Sequence, residues 1–276
     1  MKKIWHKIKK ESKDIYEVMM MPNMAFIPGS IAFFLVISIF PLLTLIGVLS
    51  SILSINVGGL TAIITLAFPA KVSEVLTMYI SGKGLTTNLT IFMLVGFFYA
   101  SNGAHSIILA SNNMYGFPNA NYITRRIKSI FIIILLILLL FFMLGILAFG
   151  NKILQFIFLY VKDTELNKVI YNLFVTIKWP IATLFIYFII KVIYTIAPDW
   201  RILSKHTTKG AMFTTASWII LMAIYSFWIN NFSNFDILYG SLSNLAILML
   251  IMYFLAFIFV IGIGLNVKTY EYKIKD

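Results

Sequence analysis

The last apolar run of the chain, Tyr239 to Asn266, constrains the fold more than any other stretch. It contains no charged residue, and it exceeds the roughly 20 residues that a helix needs to cross a hydrocarbon core about 30 Å thick. Small and amide residues stand at both of its ends: Gly240, Ser241, Ser243, Asn244, Gly262, Gly264 and Asn266. Small residues let a second backbone approach closely inside a membrane. The run is therefore predicted to be a membrane span that packs against other spans.

Composition extends this prediction to the whole chain. Hydrophobic residues make up 61% of the 276 residues and charged residues only 12%, which excludes a water-soluble fold. The absence of cysteine rules out disulfides and thiolate metal sites. We expect an all-α polytopic membrane protein with six transmembrane helices in one domain over residues 21–268. A cytoplasmic helix at 1–20 precedes this domain, and a cytoplasmic tail at 269–276 follows it.

The first 20 residues have the pattern of an amphipathic helix with a basic face. At 100° per residue, apolar side chains such as Trp5 and Ile8 fall opposite the lysines. The pattern favours a helix that lies on an anionic leaflet, and a solvated basic tail that only sets orientation is the alternative. A cleavable signal peptide is not expected, because no small-residue cleavage site ends the apolar run that follows. The predicted lipid-surface contacts are Lys2, Lys3, Lys7, Lys9, Lys10 and Lys13.

The segment between spans one and two, residues 60–80, is too short to cross and too apolar for a plain loop. After Pro69, apolar residues recur at i, i+3, i+4, i+7 and i+8 from Val72. This pattern predicts an interfacial helix or half of a re-entrant hairpin. In span one itself, Pro41 cannot donate to the carbonyl of Ile37, so a kink is expected there. The kink could adjoin a cavity or serve packing alone.

Span two, residues 89–112, is the most polar span, and its polar side chains share one stripe. Span five has a second inward stripe, and the ends of spans one and six add further polar groups. Such groups inside a membrane indicate a pathway or binding site, although hydrogen-bonded helix packing explains them equally well. The predicted polar pathway comprises Ser38, Pro41, Asn102, His105, Ser106, Asn112, Thr214, Ser217, Tyr225, Asn244 and Asn266.

The net charge of +12 is explained by topology. With the amino terminus inside, fifteen basic residues lie in cytoplasmic segments and five in outer segments, as the positive-inside rule requires. We therefore expect no nucleic-acid partner. Both termini of this multi-pass protein are expected in the cytoplasm, and the location is the cytoplasmic (inner) membrane of a bacterium.

Enzyme chemistry is not expected from these residues. His6, His105 and His206 are far apart in the chain, and the ten acidic residues form no cluster that would hold the metal ions phosphodiester hydrolysis usually needs. No nucleotide-binding motif occurs either. We predict no metal site, no catalytic residue and no cofactor.

Several short motifs, in order, resemble the YihY/BrkB family over about residues 20 to 268. They are Ser38-Ile39-Phe40-Pro41-Leu42, Asn112-Asn113-Met114-Tyr115-Gly116, Pro198 to Arg201, Gly210-Ala211 with Trp218, and Tyr239-Gly240-Ser241-Leu242 with Gly262 and Asn266. The resemblance implies a bacterial inner-membrane protein with six spans. Some members are labelled virulence factors, and others carry a ribonuclease BN label regarded as mistaken. No activity is established for the family, and transport or envelope-lipid handling is suspected.

The chain departs from the family pattern in its last span. Members usually have Gly-Ala-Glu-Leu-Asn where this chain has Gly262-Ile263-Gly264-Leu265-Asn266, and Ile251 replaces a usual tryptophan. The resemblance therefore does not carry over a role, such as proton coupling, that rests on that carboxylate.

Two functions from different classes fit these observations. The first is a transporter or lipid translocator with a polar path between spans one, two, five and six, acting on an unidentified small molecule or lipid. The second is a non-transporting scaffold that supports the envelope or recruits partners through its basic cytoplasmic face. Membrane lipids are partners in both cases, and homo-oligomer formation is left open.

The charge distribution predicts the topology directly. Reporter fusions after residues 120, 203 and 276 should report cytoplasm, and fusions after 85, 163 and 235 should report the outside, because the basic residues cluster near the first set. An external carboxy terminus would contradict the six-span arrangement.

Overall fold

The computed structural model describes residues 2–38, 61, 65, 73, 74, 77, 89–144, 164–231 and 241–275. All regular structure in these ranges is helical, which confirms the predicted all-α class for this part of the chain. Pro41 and most of the 60–80 segment lie outside the described residues, so the kink and the interfacial or re-entrant helix stay predictions. Side chains that also lie outside are those of Lys2, Lys3, Lys7 and Asn244.

Seven long helices lie within the described ranges. In order they are α1 Lys2–Met19, α2 over 27–38, α3 Leu89–Tyr115, α4 Tyr122–Leu144, α5 Thr164–Ile196, α6 Thr208–Asn231 and α7 Ser241–Lys275. Single 3-10 turns, Pro22–Ala25 and Ser204–His206, lead into α2 and α6.

Consecutive helices from α3 to α7 run antiparallel to their neighbours. Phe142 of α4 stacks on Phe185 of α5, while Lys128, earlier in α4, reaches Asp199 just after α5. Likewise Gly210 at the start of α6 contacts Asn266, late in α7. The carboxyl ends of α3, α5 and α7 and the amino ends of α4 and α6 therefore meet at one end, which we call the charged end.

Small residues bring α6 and α7 into close contact near the charged end. A Cβ atom added to Gly210 would meet the backbone oxygen of Gly262, and one added to Gly262 would meet the side chains of Tyr194 and Thr214. The Gly210 N–H donates to the Asn266 side-chain oxygen at 2.7 Å. The sequence prediction that Gly262 and Asn266 allow a close backbone approach is confirmed.

The last two turns of α1 pack against this same end. Val18 is fully buried and fills the space over Gly264. Lys209 contacts the buried Asp14 at 2.9 Å, and Lys268 contacts Glu17 at 2.8 Å. The hydrogen bond and the charge of Lys268 lower the pKa of Glu17. A helix over Lys2–Met19 is thus present and is anchored to the bundle, while its predicted place on an anionic leaflet stays a prediction.

Three helical segments in the described ranges are long and apolar enough to cross a membrane: Tyr171–Ile196, Thr208–Trp228 and Ala246–Glu271. The pair Lys9–Met19 and Pro22–Ser38, bent by 67°, would make a fourth if it counted as one broken span. Several described helices are therefore candidate membrane spans, and the predicted count of six spans stays a prediction.

The close α6–α7 contact predicts a large effect of one methyl group. Gly262→Ala should destabilise the protein by about 1–3 kcal/mol, because the new Cβ must displace the Tyr194 and Thr214 hydroxyls. Gly29→Ala is the matched control, since a Cβ at this helical glycine meets nothing within 4 Å and alanine favours a helix. Thermal unfolding of both variants in detergent checks this, and equal melting temperatures would contradict it.

Candidate functional site

The polar centre of the charged end begins where α3 stops. Gly116 has φ of 68°, a conformation that glycine adopts at little cost and that commonly ends helices. The chain then folds back along α3, and the Phe117 N–H donates to the Asn112 carbonyl at 3.0 Å. This reversal places Asn119 next to Asn112, whose side-chain nitrogen donates to the Asn119 oxygen at 3.0 Å.

The carboxylate of Asp199, in the segment after α5, is the centre of these contacts. One oxygen accepts from Asn112 at 2.6 Å and from the Ala120 N–H at 2.9 Å, and the other accepts from Lys128 at 3.0 Å. The Asp199 N–H donates back to the Asn112 side-chain oxygen at 2.8 Å. Lys128 also donates to the Pro198 carbonyl at 2.8 Å. We call this set the Asp199 network.

The Asp199 side chain is only 2% exposed, yet its donors keep it ionised. Burial by itself raises the pKa of Asp199. The hydrogen bonds from Ala120, Lys128 and Asn112, together with the Lys128 charge, outweigh burial and hold the pKa below its usual value. A carboxylate with three of its roughly four acceptor positions already bonded is suited to holding structure.

A second buried polar group joins α5, α6 and α7. The Tyr194 hydroxyl donates to the Phe259 carbonyl and contacts the Thr214 hydroxyl, both at 2.7 Å. Trp218, one turn further along α6, donates to the Leu255 carbonyl at 3.0 Å. Thr214 and Asn266, both predicted pathway residues, therefore take part in helix contacts at the charged end.

The polar stripe of α3 faces the first turns of α4. Ser101 contacts Ser129 at 3.2 Å, Asn102 accepts from Arg126 at 2.8 Å, and the rings of His105 and Tyr122 lie 6.0 Å apart. Arg126 is thus a cationic partner of this polar stripe. Ser106 donates to the Asn102 carbonyl of its own helix at 3.1 Å, and Ser38 to the Leu35 carbonyl of its own helix at 2.8 Å.

Two apolar grooves flank α7 in the half remote from the charged end. One lies between α6 and α7 and has a volume of about 140 Å³; it is lined by Tyr225, Trp228 and Ile251 among others. The other lies between α2 and α7 and has a volume of about 440 Å³, lined by Ala32, Val36 and Tyr253 among others. Leu250 lines both grooves.

The described pathway residues do not come together in one place. Asn112 lies in the Asp199 network, Thr214 and Asn266 lie at the α6–α7 contact, and Asn102, His105 and Ser106 lie at the α3–α4 contact. Tyr225 lines the α6–α7 groove, where its buried hydroxyl has no hydrogen-bond partner among the described residues. Ser217 is half-buried. A continuous path through them stays a prediction.

Among the predicted lipid-surface lysines, Lys9, Lys10 and Lys13 have described side chains, and all three are exposed. Within the described ranges, no three His, Asp or Glu side chains come together as metal ligands would.

The sequence reasoning missed Asp199, Lys128, Arg126 and Tyr194. Two signals pointed to them. Asp199 is one of only ten acidic residues in the chain, and Tyr122, Arg125, Arg126 and Ser129 recur at i, i+3, i+4 and i+7, the spacing of one helix face. From the sequence, the basic residues of α4 were interpreted only as evidence for the membrane orientation.

This arrangement of apolar helices with a charged end is that of an α-helical membrane protein. Residues 15–276 match the family described as Virulence factor BrkB, and the chain belongs to that family. It is 25% identical over 252 residues to "Putative ribonuclease-like protein YfkH" of Bacillus subtilis (strain 168), covering 89% of this chain and 90% of that protein. No solved structure matches the chain.

The Asp199 network predicts a specific response to acid. Because the pKa of Asp199 is lowered in the folded protein, its stabilising effect is complete above the ordinary value of about 3.9 and is lost as pH falls through the lowered one. The melting temperature of the native protein should therefore fall below about pH 4 more steeply than that of Asp199→Asn.

At neutral pH, Asp199→Asn should be destabilised by about 1–3 kcal/mol, since Lys128 loses its counter-ion and buried donors lose their acceptor. Glu271→Gln, at an exposed carboxylate, is the control for loss of one negative charge. Melting temperatures that respond equally in both variants would show that the network contributes nothing specific.

Proposed function

We propose that this chain is a six-span protein of the bacterial cytoplasmic membrane, with both termini in the cytoplasm, and that it moves a lipid or similar amphiphile between leaflets. The positive-inside distribution supports the orientation. In this orientation the charged end faces the cytoplasm, and the grooves beside α7 lie in the outer half of the membrane.

The observation that carries the proposal is the pair of grooves that share Leu250. The α2–α7 groove, at about 440 Å³, lies within the roughly 300–1,000 Å³ typical of small-ligand pockets. Its described lining is almost entirely apolar, with Phe33, Met249 and Tyr253 at its wall. An apolar groove at membrane depth suits an acyl chain better than a hydrated ion, which would lose its water there without replacement.

The charged end presents polar and cationic side chains, which suit the headgroup of an amphiphile. Polar side chains of α3 and cations of α4 lie there within a few ångströms of each other. The charged end therefore suits a headgroup on the cytoplasmic side, and the grooves suit acyl chains in the outer half. The proposal includes no enzymatic step.

A non-transporting scaffold is the second candidate. It is favoured by α1, whose outer face leaves Trp5 and Tyr16 more than 60% exposed beside the exposed Lys9 and Lys13. Such a face is suited to an anionic membrane surface or an acidic partner.

Lipid movement can be measured in vesicles that contain the purified chain and a fluorescent phospholipid in both leaflets. A membrane-impermeant reductant should quench all of the reporter if the chain moves lipid, and only the outer-leaflet share if it does not. Leu250→Trp should slow quenching, because the indole enters the grooves on both sides of α7.

Leu184→Trp is the matched control, since Leu184 of α5 is 66% exposed and lines neither groove. Quenching by the native chain that never exceeds the outer-leaflet share would rule out lipid movement under these conditions and favour the scaffold. Equal slowing by both tryptophans would remove the grooves from the mechanism.

A further inference from the structure

Two arginines at the start of α4 lie against the polar stripe of α3. Arg126 donates to the Asn102 side-chain oxygen at 2.8 Å, and its guanidinium carbon lies 4.4 Å from the centre of the Phe98 ring. Arg125 shares this side of α4, since Tyr122 and Ser129, three residues before and four after it, contact His105 and Ser101. Both arginines are partly exposed.

Neither arginine forms an ion pair within the part of the chain that the structure describes. The carboxylate of Asp199, further along, is already bonded to Lys128, Asn112 and Ala120. Guanidinium groups stay protonated in proteins, and a partly buried cation is costly without an anion.

Two further polar atoms here have no partner. His105 Nδ1 and Arg125 Nε are both buried, and neither has a hydrogen-bond partner among the described residues. Buried polar groups are nearly always bonded in native proteins, and exceptions often mark a functional site. A histidine nitrogen can donate to an anion when it carries the proton.

The surroundings of the arginines are apolar and exposed. Phe98 beneath Arg126 is 54% exposed, and Ile123, one helical turn before Arg126, is 65% exposed. Cations flanked by exposed apolar side chains match a molecule with an anionic head and apolar tails. A guanidinium is well suited to phosphate, because it presents a planar fork of donors.

We infer that Arg125 and Arg126, with His105 and Asn102, form a binding site for the phosphate of an anionic phospholipid headgroup in the leaflet at the charged end. Two arginines that form no ion pair among the described residues favour an anionic lipid over a zwitterionic one, because the latter brings an ammonium group next to further cations. The site does not depend on the proposed function, because a lipid can bind here whether or not the protein moves it.

The test is equilibrium binding to the full chain in neutral detergent, followed by native mass spectrometry. Phosphatidylglycerol should bind more tightly than phosphatidylcholine with the same acyl chains. The double variant Arg125→Gln with Arg126→Gln should weaken phosphatidylglycerol binding about tenfold or more, as expected when charge-assisted hydrogen bonds are lost. The double lysine variant, which keeps the charges, should retain part of the affinity.

Arg201→Gln is the matched control, because it removes the same charge from an exposed arginine at the charged end. It should leave binding within about twofold, an effect of general charge alone. If the double glutamine variant does not fold, Arg125→Gln alone leaves the Arg126–Asn102 contact in place and should still weaken binding.

Three results would overturn the inference. One is unchanged affinity in the folded arginine variants. Another is an equal loss in Arg201→Gln, which would indicate non-specific surface charge. The third is complete displacement of phosphatidylglycerol by millimolar inorganic phosphate, which would make free phosphate the ligand.

Discussion

An ionised carboxylate with almost no access to water, Asp199, holds the charged end of this protein together. A buried charge is tolerable only when its hydrogen-bonding capacity is met, and here α3, the segment after it and α4 all supply donors. The Asp199 carboxylate and the chain that bonds it stabilise each other. Asp199 can stay charged only if the α3–α4 connection folds back, and that connection is held in place by the carboxylate. The antiparallel α3–α4 pair and the exit from α5 therefore depend on one another.

The two halves of α7 have different packing. Near the charged end, residues 259–267 are buried without exception, and glycines allow α6 and α1 to approach its backbone. In the other half, Met249, Leu250 and Phe254 are each more than 40% exposed, and grooves open on both sides. Dense packing resists rearrangement, whereas a groove leaves room for another molecule. One half of α7 is thus tightly packed in the bundle, and the other half presents a surface that can accept a ligand.

The sequence was sufficient for features that depend on local pattern. Apolar length predicts the helices Tyr171–Ile196 and Ala246–Glu271 as spans, and the small residues around Gly262 predict a close helix contact. The spacing of Asn102 and His105 predicts a shared polar face. Asp199 could not be placed in this way, because its partner Asn112 lies 87 residues earlier and no periodicity links the two. The same reason hid Tyr194, whose contacts with Thr214 and Phe259 arise only when three helices meet.

Gly264 offers a physical account of one departure from the family pattern. The resemblance places a glutamate at this position in other members, whereas a Cβ atom here would run into Val18 of α1 and press on Met114 of α3. The absence of a side chain at residue 264 is therefore what lets α1 bury Val18 against α7. The ion pairs of Asp14 with Lys209 and of Glu17 with Lys268 surround this contact. A side chain at residue 264 would require Val18 to move, so the close contact of α1 with α7 depends on the glycine.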